Sequence, residues 1–419
     1  MARKTMMVVA LSAAAGLAGC TLLNDRFMIG PGGDAGAPVD ASRTDGGGPR
    51  QDAGGPPAPC TPLQVVQLAP GTNHTCVRHS CGAVSCWGDG SAGQLGDGRM
   101  RGSATPVFVE GVTDAVDLFS GDRFACVVRS DGTVWCWGAN DNNMIGDGGG
   151  SARGAPTLVR DVGDAERIAH GSGRHVCAGT SAGPNVWCWG DNAAGQLGNG
   201  TMLPSTTPTE IDTAIGPVVS LATSLHSCAV RGSDHALYCW GGNGLGELGD
   251  GSRMPQPSPL QIPGITAQRV AAGNGFTCIV DDADDVRCWG TDRFGELGDG
   301  GSMDVRSLAT DASVVVGGVA ELVAGESHVC ALAAGGYVTC WGRNNRGQLG
   351  LGAPDLTSLP QGADGLSDIV TIGSGGSHVC ALRDDLAVFC WGSNDWGQLG
   401  DGTTDDQLSP VRVIGLRNE

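Results

Sequence analysis

Cysteine and histidine are the residues of this chain with the most chemistry to offer: 17 cysteines and 8 histidines in 419 residues. Fourteen cysteines fall into pairs, Cys76/Cys86, Cys126/Cys136, Cys177/Cys188, Cys228/Cys239, Cys278/Cys288, Cys330/Cys340 and Cys380/Cys390. Paired sulfurs suit either a disulfide or a thiolate metal site. In five units a histidine stands two residues before the first cysteine, at His74, His175, His226, His328 and His378, so each offers three ligands. Structural zinc takes four, and the other two units carry Phe124 and Phe276 there, which bind no metal. The histidine position therefore reads as one of packing and hydrogen bonding, and no metal or other cofactor is expected.

Hairpin geometry tests the disulfide reading. In Cys126–Cys136 a three-residue loop at Ser130-Asp131-Gly132 pairs Arg129 with Thr133, Val128 with Val134, Val127 with Trp135, and Cys126 with Cys136. Such a loop ends on a left-handed residue, which Gly132 supplies. Opposed residues lie about 4.5–5.5 Å apart, within disulfide reach. Two units have one residue more in the loop, and their cysteines still face each other. Seven disulfides suit an oxidising compartment. Cys60 and Cys81 remain, either as an eighth bond or as free thiols.

What positions the pairs is a repeat. The second cysteine of each opens Cys-Trp-Gly, with tryptophans at Trp87, Trp137, Trp189, Trp240, Trp289, Trp341 and Trp391, spaced 49–52 residues apart. A period of that length marks a repeat array. Each unit continues with a Gly-rich phrase holding one apolar residue (Leu95, Ile145, Leu197, Leu248, Leu297, Leu349, Leu399), a proline-edged strand such as Pro106-Val107-Phe108-Val109, and a Val-rich strand that leads to the next hairpin. Four short strands per unit is the economy of a propeller blade. The chain reads as all-β, a seven-bladed propeller over residues 60–419. Unit one has no proline-edged strand in front, whereas the chain finishes on Pro410-Val411-Arg412-Val413. The expectation is that this last strand completes the first blade and closes the ring.

Other motifs read as structure. Gly179-Thr180-Ser181-Ala182-Gly183 fits a Gly-x-Ser-x-Gly pattern but falls on a hairpin tip, not a strand-to-helix elbow. The Asp-Gly turns at Asp97, Asp147, Asp250, Asp299 and Asp401 lack the alternating oxygen ligands of a calcium loop. Asp281, Asp282, Asp284 and Asp285 make a solvated acidic tip. No catalytic residue is assigned. The net charge of −19 falls wholly on the repeats, because residues 1–62 hold five basic and five acidic groups. An acidic body repels phosphate backbones, which disfavours nucleic acid as a partner.

The N-terminus places Arg3 and Lys4 before an apolar run from Met6 to Ala18, too short to span a membrane and shaped as a secretory signal. Leu17-Ala18-Gly19-Cys20 resembles the bacterial lipobox, which implies a signal peptide over 1–19, lipidation of Cys20 and, with Thr21 following, an outer-membrane address in preference to the inner membrane. Residues 20–59 are rich in Gly, Pro and Asp and read as a flexible tether.

Gly325-Glu-Ser-His328-Val-Cys330-Ala-Leu332 followed by Cys340-Trp-Gly-Arg-Asn-Asn-Arg-Gly347-Gln-Leu-Gly350 resembles the repeats of the regulator of chromosome condensation family, and the likeness runs over residues 63–419. It implies a seven-bladed propeller. The nuclear exchange activity of the eukaryotic namesake does not carry over to a chain that reads as exported, acidic and disulfide-bonded. The expected function is a lipid-anchored envelope or cell-surface scaffold with a monomeric head, whose partner is a protein or surface polymer. The alternatives are an extracytoplasmic enzyme using the propeller face or channel, and a structural envelope lipoprotein.

Overall fold

The computed structural model describes residues 63–416, apart from 170, 181, 182, 184, 302, 303 and 312–317. Among these residues the regular elements are 28 strands in seven four-stranded antiparallel sheets. No helix among them is long and apolar enough to cross a membrane. Each sheet is one blade of a propeller, and neighbouring blades touch all the way round.

The first blade sets the pattern. Its inner strand Val65–Pro70 is followed by hairpin strands His74–His79 and Ala83–Gly88 and an outer strand Ser103–Thr113. The hairpin register is the expected one in all seven blades. In the second, Cys126 opposes Cys136, Val127 opposes Trp135 and Val128 opposes Val134, while Arg129 N–H donates to the Thr133 carbonyl across the three-residue loop. Gly132 turns the chain with φ of 79°.

Every expected cysteine pair is a disulfide. Ten-residue separations join Cys76 to Cys86, Cys126 to Cys136, Cys278 to Cys288, Cys330 to Cys340 and Cys380 to Cys390. The two units with the longer loop join Cys177 to Cys188 and Cys228 to Cys239 across eleven residues. Cys188 still opposes Cys177, and Cys239 still opposes Cys228, because the extra residue is absorbed in the loop and leaves the register alone. The Cα–Cα separations, 4.0–4.2 Å, fall below the expected range. Facing residues approach most closely where they exchange no hydrogen bonds with each other, and a covalent bridge draws such a pair nearer still.

Ring closure differs from the expectation. The last strand, Gln407–Arg412, pairs with Val388–Gly392 of the seventh blade, and the first blade already has its own outer strand in Ser103–Thr113. The reason is the phase of the repeat. The loop after each Cys-Trp-Gly doubles back, so the proline-edged strand pairs with the hairpin before it, not with the hairpin that follows. Every blade is therefore one continuous piece of chain, and no strand crosses the joint between the seventh blade and the first.

What closes the ring follows from the period-two alternation of a strand. Adjacent residues point to opposite faces, so the Cys-Trp step sends sulfur to one side of the sheet and indole to the other. Each blade thus offers a disulfide to one neighbour and a tryptophan to the other. The core is seven clusters between blades, each pairing the disulfide of one blade with the tryptophan of the next. Trp137 packs on Cys76 and Cys86, Trp240 on Cys177 and Cys188, Trp289 on Cys228 and Cys239, and Trp341 on Cys278 and Cys288. At the closing joint Trp87 packs on Cys380 and Cys390. The apolar residue of the Gly-rich phrase fills the same clusters, as Leu95 and Leu399 do. Each indole Nε1–H donates to a backbone carbonyl of the preceding blade, at 2.8–3.0 Å in all seven joints. Glycine is required beside it: a side chain at Gly400, where φ is 69°, would put its Cβ 2.7 Å from the Trp87 Nε1.

Candidate functional site

The histidines lie at the same joints and are fully buried. The neighbouring cysteines are tied up in disulfides and offer them no thiolate. Three of them reach a hydroxyl placed one residue after the histidine position of the next blade: His175 Nε2 to Ser227 Oγ at 2.6 Å, His226 Nε2 to Thr277 Oγ1 at 2.6 Å, and His378 Nε2 to Thr75 Oγ1 at 2.8 Å. His328 uses Ser374 instead, at 2.9 Å. The hydroxyls of Thr75, Ser227 and Thr277 each donate to a carbonyl, of Gln398, Gln196 and Glu247 respectively. Their oxygens must then accept from histidine, which fixes the proton on Nε2 and leaves Nδ1 bare. A second proton on Nδ1 would be buried with no acceptor. Burial accordingly holds His74 and His226 down to about 4, and His175, His328 and His378 to about 3. Where the unit has phenylalanine, the facing residue is apolar: Phe124 meets the blade with Val176, and Phe276 the blade with Val329. This belt holds blades together.

The remaining motifs are also occupied with structure. In the Asp-Gly turns a carboxylate oxygen accepts the N–H two residues on, as Asp97 does from Arg99 and Asp401 from Thr403. On the acidic tip, Asp281 caps Ala283 and Asp285 and pairs with Arg287 at 2.9 Å, while Asp282 bonds His235 at 2.6 Å. Thr180 Oγ1 accepts the Gly183 N–H at 2.7 Å, the bond of a tight turn, whereas Ser181 and Ala182 lie outside the described residues. Cys20 and Cys60 lie outside them too; Cys81 is disulfide-bonded.

The central channel holds a cavity of about 480 Å³ lined by the inner strands. One position per blade, the third residue of Val65–Pro70 and its equivalents, gives the channel a polar ring of Gln67, Asp117, Arg167, Ser220, Arg269, Glu321 and Thr371. Sequence reasoning missed this ring, although a polar residue recurring in a Val-rich strand is its signal. Three members accept the N–H of the following position of the next inner strand: Asp117 from Ile168 at 3.0 Å, Ser220 from Val270 at 3.1 Å and Glu321 from Ile372 at 2.8 Å. Gln67 donates to Asp117 at 2.6 Å and Thr371 to Glu321 at 3.0 Å. Of the residues just before the ring, Val66, Val116, Val219 and Val370 are exposed and apolar, but Glu166 and Gln268 precede the two arginines and interrupt that apolar edge at the hairpin-tip end of the channel; Val116, Glu166 and Val219 line the cavity.

These features define a disulfide-bonded propeller whose polar side chains mostly serve to join its blades, with a channel as the open concavity. The chain belongs to the regulator of chromosome condensation (RCC1) repeat family, whose repeat model matches residues 82–128, 185–230, 234–280, 335–382 and 387–419. A second model of the same repeat matches 115–143, 267–296, 319–348 and 369–398. Among curated relatives, the E3 ubiquitin-protein ligase HERC2 of Homo sapiens is 31% identical over 209 residues, 48% of this chain and 4% of that protein. The ultraviolet-B receptor UVR8 of Arabidopsis thaliana is 30% identical over 182 residues, 43% of this chain and 30% of that protein. The chain thus spans less than a third of the length of either. Among solved structures, human WBSCR16 superimposes with a TM-score of 0.71 at 22% identity over 80% of this chain and 94% of that one. Yeast RCC1 (Prp20), solved with Kap60 bound, gives 0.71 at 17% identity over 84% and 85%. At these identities the likeness is one of fold.

Proposed function

We propose that the protein is a binding scaffold, lipidated on Cys20, held at the outer membrane of a bacterial envelope, and directed at a protein or a surface polymer. The observation that carries the binding reading is where the polar groups go. Four of the five buried histidines at the blade joints, the Asp-Gly carboxylates and most of the channel ring are bonded across or within blades, which leaves a rigid body that displays loops and a channel mouth. Seven buried disulfides support an oxidising, extracytoplasmic setting. Prp20, which has this fold, is described with Kap60 bound and with binding properties toward Gsp1p and histones, so such a ring can serve protein partners.

Crosslinking on intact cells, followed by mass spectrometry of the captured chains, tests the reading, with Cys20→Ser as the control. Capture of the same envelope partner in repeated experiments, lost when Cys20→Ser releases the protein from the membrane fraction, is the expected result. Recovery of the wild type in the cytosolic fraction, or capture indistinguishable from that of an unrelated envelope lipoprotein, would refute it.

A further inference from the structure

The polar ring of the channel has two members, Arg167 and Arg269, whose side chains carry no acceptor. Asp117, Ser220 and Glu321 each offer an oxygen to the N–H of the next blade. Arginine has five donors and no acceptor, so Arg167 and Arg269 cannot make that bond. They sit on the third and fifth blades, either side of Ser220. The inner strand starts at the arginine in these two blades, as Arg167–Ile168 and Arg269–Gly273, whereas the first starts at Val65 and the second at Ala115, two residues ahead of the ring. Both arginines are exposed and line the cavity. Among the described residues neither side chain has an ion-pair or hydrogen-bond partner, in a protein of net charge −19. Of the acidic residues that line the cavity, Asp117 and Glu321 are engaged with backbone and side-chain donors, and Glu166, next to Arg167 in sequence, has an interaction of its own. Ser220 Oγ accepts from Val270, so its own proton is free to point the same way as the two guanidinium groups. A repeat protein that forgoes a structural bond at two flanking positions, in a cavity of about 480 Å³, has placed function there.

We infer that Arg167, Ser220 and Arg269 form a binding site for an anionic head group, a carboxylate or a phosphate, carried on an apolar body that rests on Val116 and Val219, which line the same cavity. The head receives charge-assisted hydrogen bonds from the two forks and one from the serine hydroxyl. Val116 and Val219 cover part of the apolar body, whose burial adds to the affinity of the head. The site is independent of the lipid anchor and of the identity of any partner captured on cells.

Titration calorimetry at low ionic strength tests it, with octanoate and octyl phosphate below their micellar concentrations and with acetate and inorganic phosphate as heads without bodies. Saturable binding of at least one octyl compound, tighter than that of its bare head, is expected; the tighter of the two identifies the head. Arg167→Gln with Arg269→Gln should weaken it by about tenfold or more, the size of one lost hydrogen bond to a charged group. Arg101→Gln, an exposed arginine in the loop between hairpin and outer strand, should leave it unchanged, and Arg269→Lys should restore part of the loss from Arg269→Gln. No saturable binding of either octyl compound, equal binding by wild type and the double variant, or an equal loss in Arg101→Gln would each overturn the assignment. If the double variant fails to fold, the single variants Arg167→Gln and Arg269→Gln decide the matter by the same readout.

Discussion

Replacing His74 with phenylalanine should make the ring more stable, and most of all in acid. His74 faces the blade in which Ala125 stands where Ser227, Thr277 and Thr75 supply hydroxyls at other joints. Neither ring nitrogen makes a hydrogen bond of good geometry, the Phe124 backbone being the polar group nearby. The site already accommodates a ring of this shape elsewhere. Phe124 lies over Gly121 and Phe276 over Gly273 as His74 lies over Gly71, where any added Cβ would meet the ring at 2.1–2.4 Å. At neutral pH the exchange removes a buried imidazole with unmet bonds, a gain of about 1 kcal/mol. In acid a second effect adds to it. The folded-state pKa is about 4, against an ordinary 6.5, so the unfolded chain takes up the proton first. The stability that the neutral ring contributes is complete above pH 6.5 and is lost as pH falls toward 4. At about pH 5 the difference is about 1.5 pH units, or about 2 kcal/mol. The advantage of His74→Phe should therefore grow from about 1 kcal/mol at about pH 7.5 to about 3 kcal/mol at about pH 5. Guanidinium denaturation followed by tryptophan fluorescence, with the disulfides intact, reads it directly. A variant less stable than wild type at neutral pH, or one whose advantage is the same at both pH values, would refute the reasoning.

Two further outcomes follow from the same joints. Glu296 occupies the place of Gln94, Gln196, Gln348 and Gln398, and burial pushes its carboxyl up to about 7. Ionising it costs stability that is intact below pH 4.5 and fully lost above about 7, so Glu296→Gln should gain up to about 3 kcal/mol in alkaline buffer and nothing near pH 4, measured by the same denaturation series. Trp87→Phe and Trp289→Phe each delete an indole donor to a carbonyl that also accepts a threonine hydroxyl. Both should cost about 1–3 kcal/mol, and equally, because the closing joint is built like any other; a loss at Trp87 several times that at Trp289 would contradict it.

Much of this was readable from the chain because the determinants are local. The pairing of Cys126 with Cys136 needs only loop length and alternation, and one added residue before Cys188 or Cys239 changes neither. The blade boundary was not readable, since Pro106-Val107-Phe108-Val109 can pair forward or back, and the choice is made by how the loop after Cys-Trp-Gly folds. The histidine partners lie about one repeat away, yet a signal existed: the units after His175 and His226 carry Ser227 and Thr277, while those after Phe124 and Phe276 carry Val176 and Val329. Arg167 and Arg269 gave no signal as a pair, because only the ring brings positions 102 residues apart to either side of one serine. Cys20 and the segment that follows it rest on their sequence pattern.

Because Trp87 meets Cys380 and Cys390 just as Trp137 meets Cys76 and Cys86, the circle has no privileged starting blade. Genes opened between any two blades and rejoined at the present ends would encode the same object. By the same logic, duplicating or deleting one whole unit leaves the tryptophan–disulfide contact of every joint in place, while it re-pairs the histidine belt at one joint and alters the curvature that each joint must absorb. An architecture of this kind can change the width of its channel in whole-blade steps while its chemistry of assembly stays fixed.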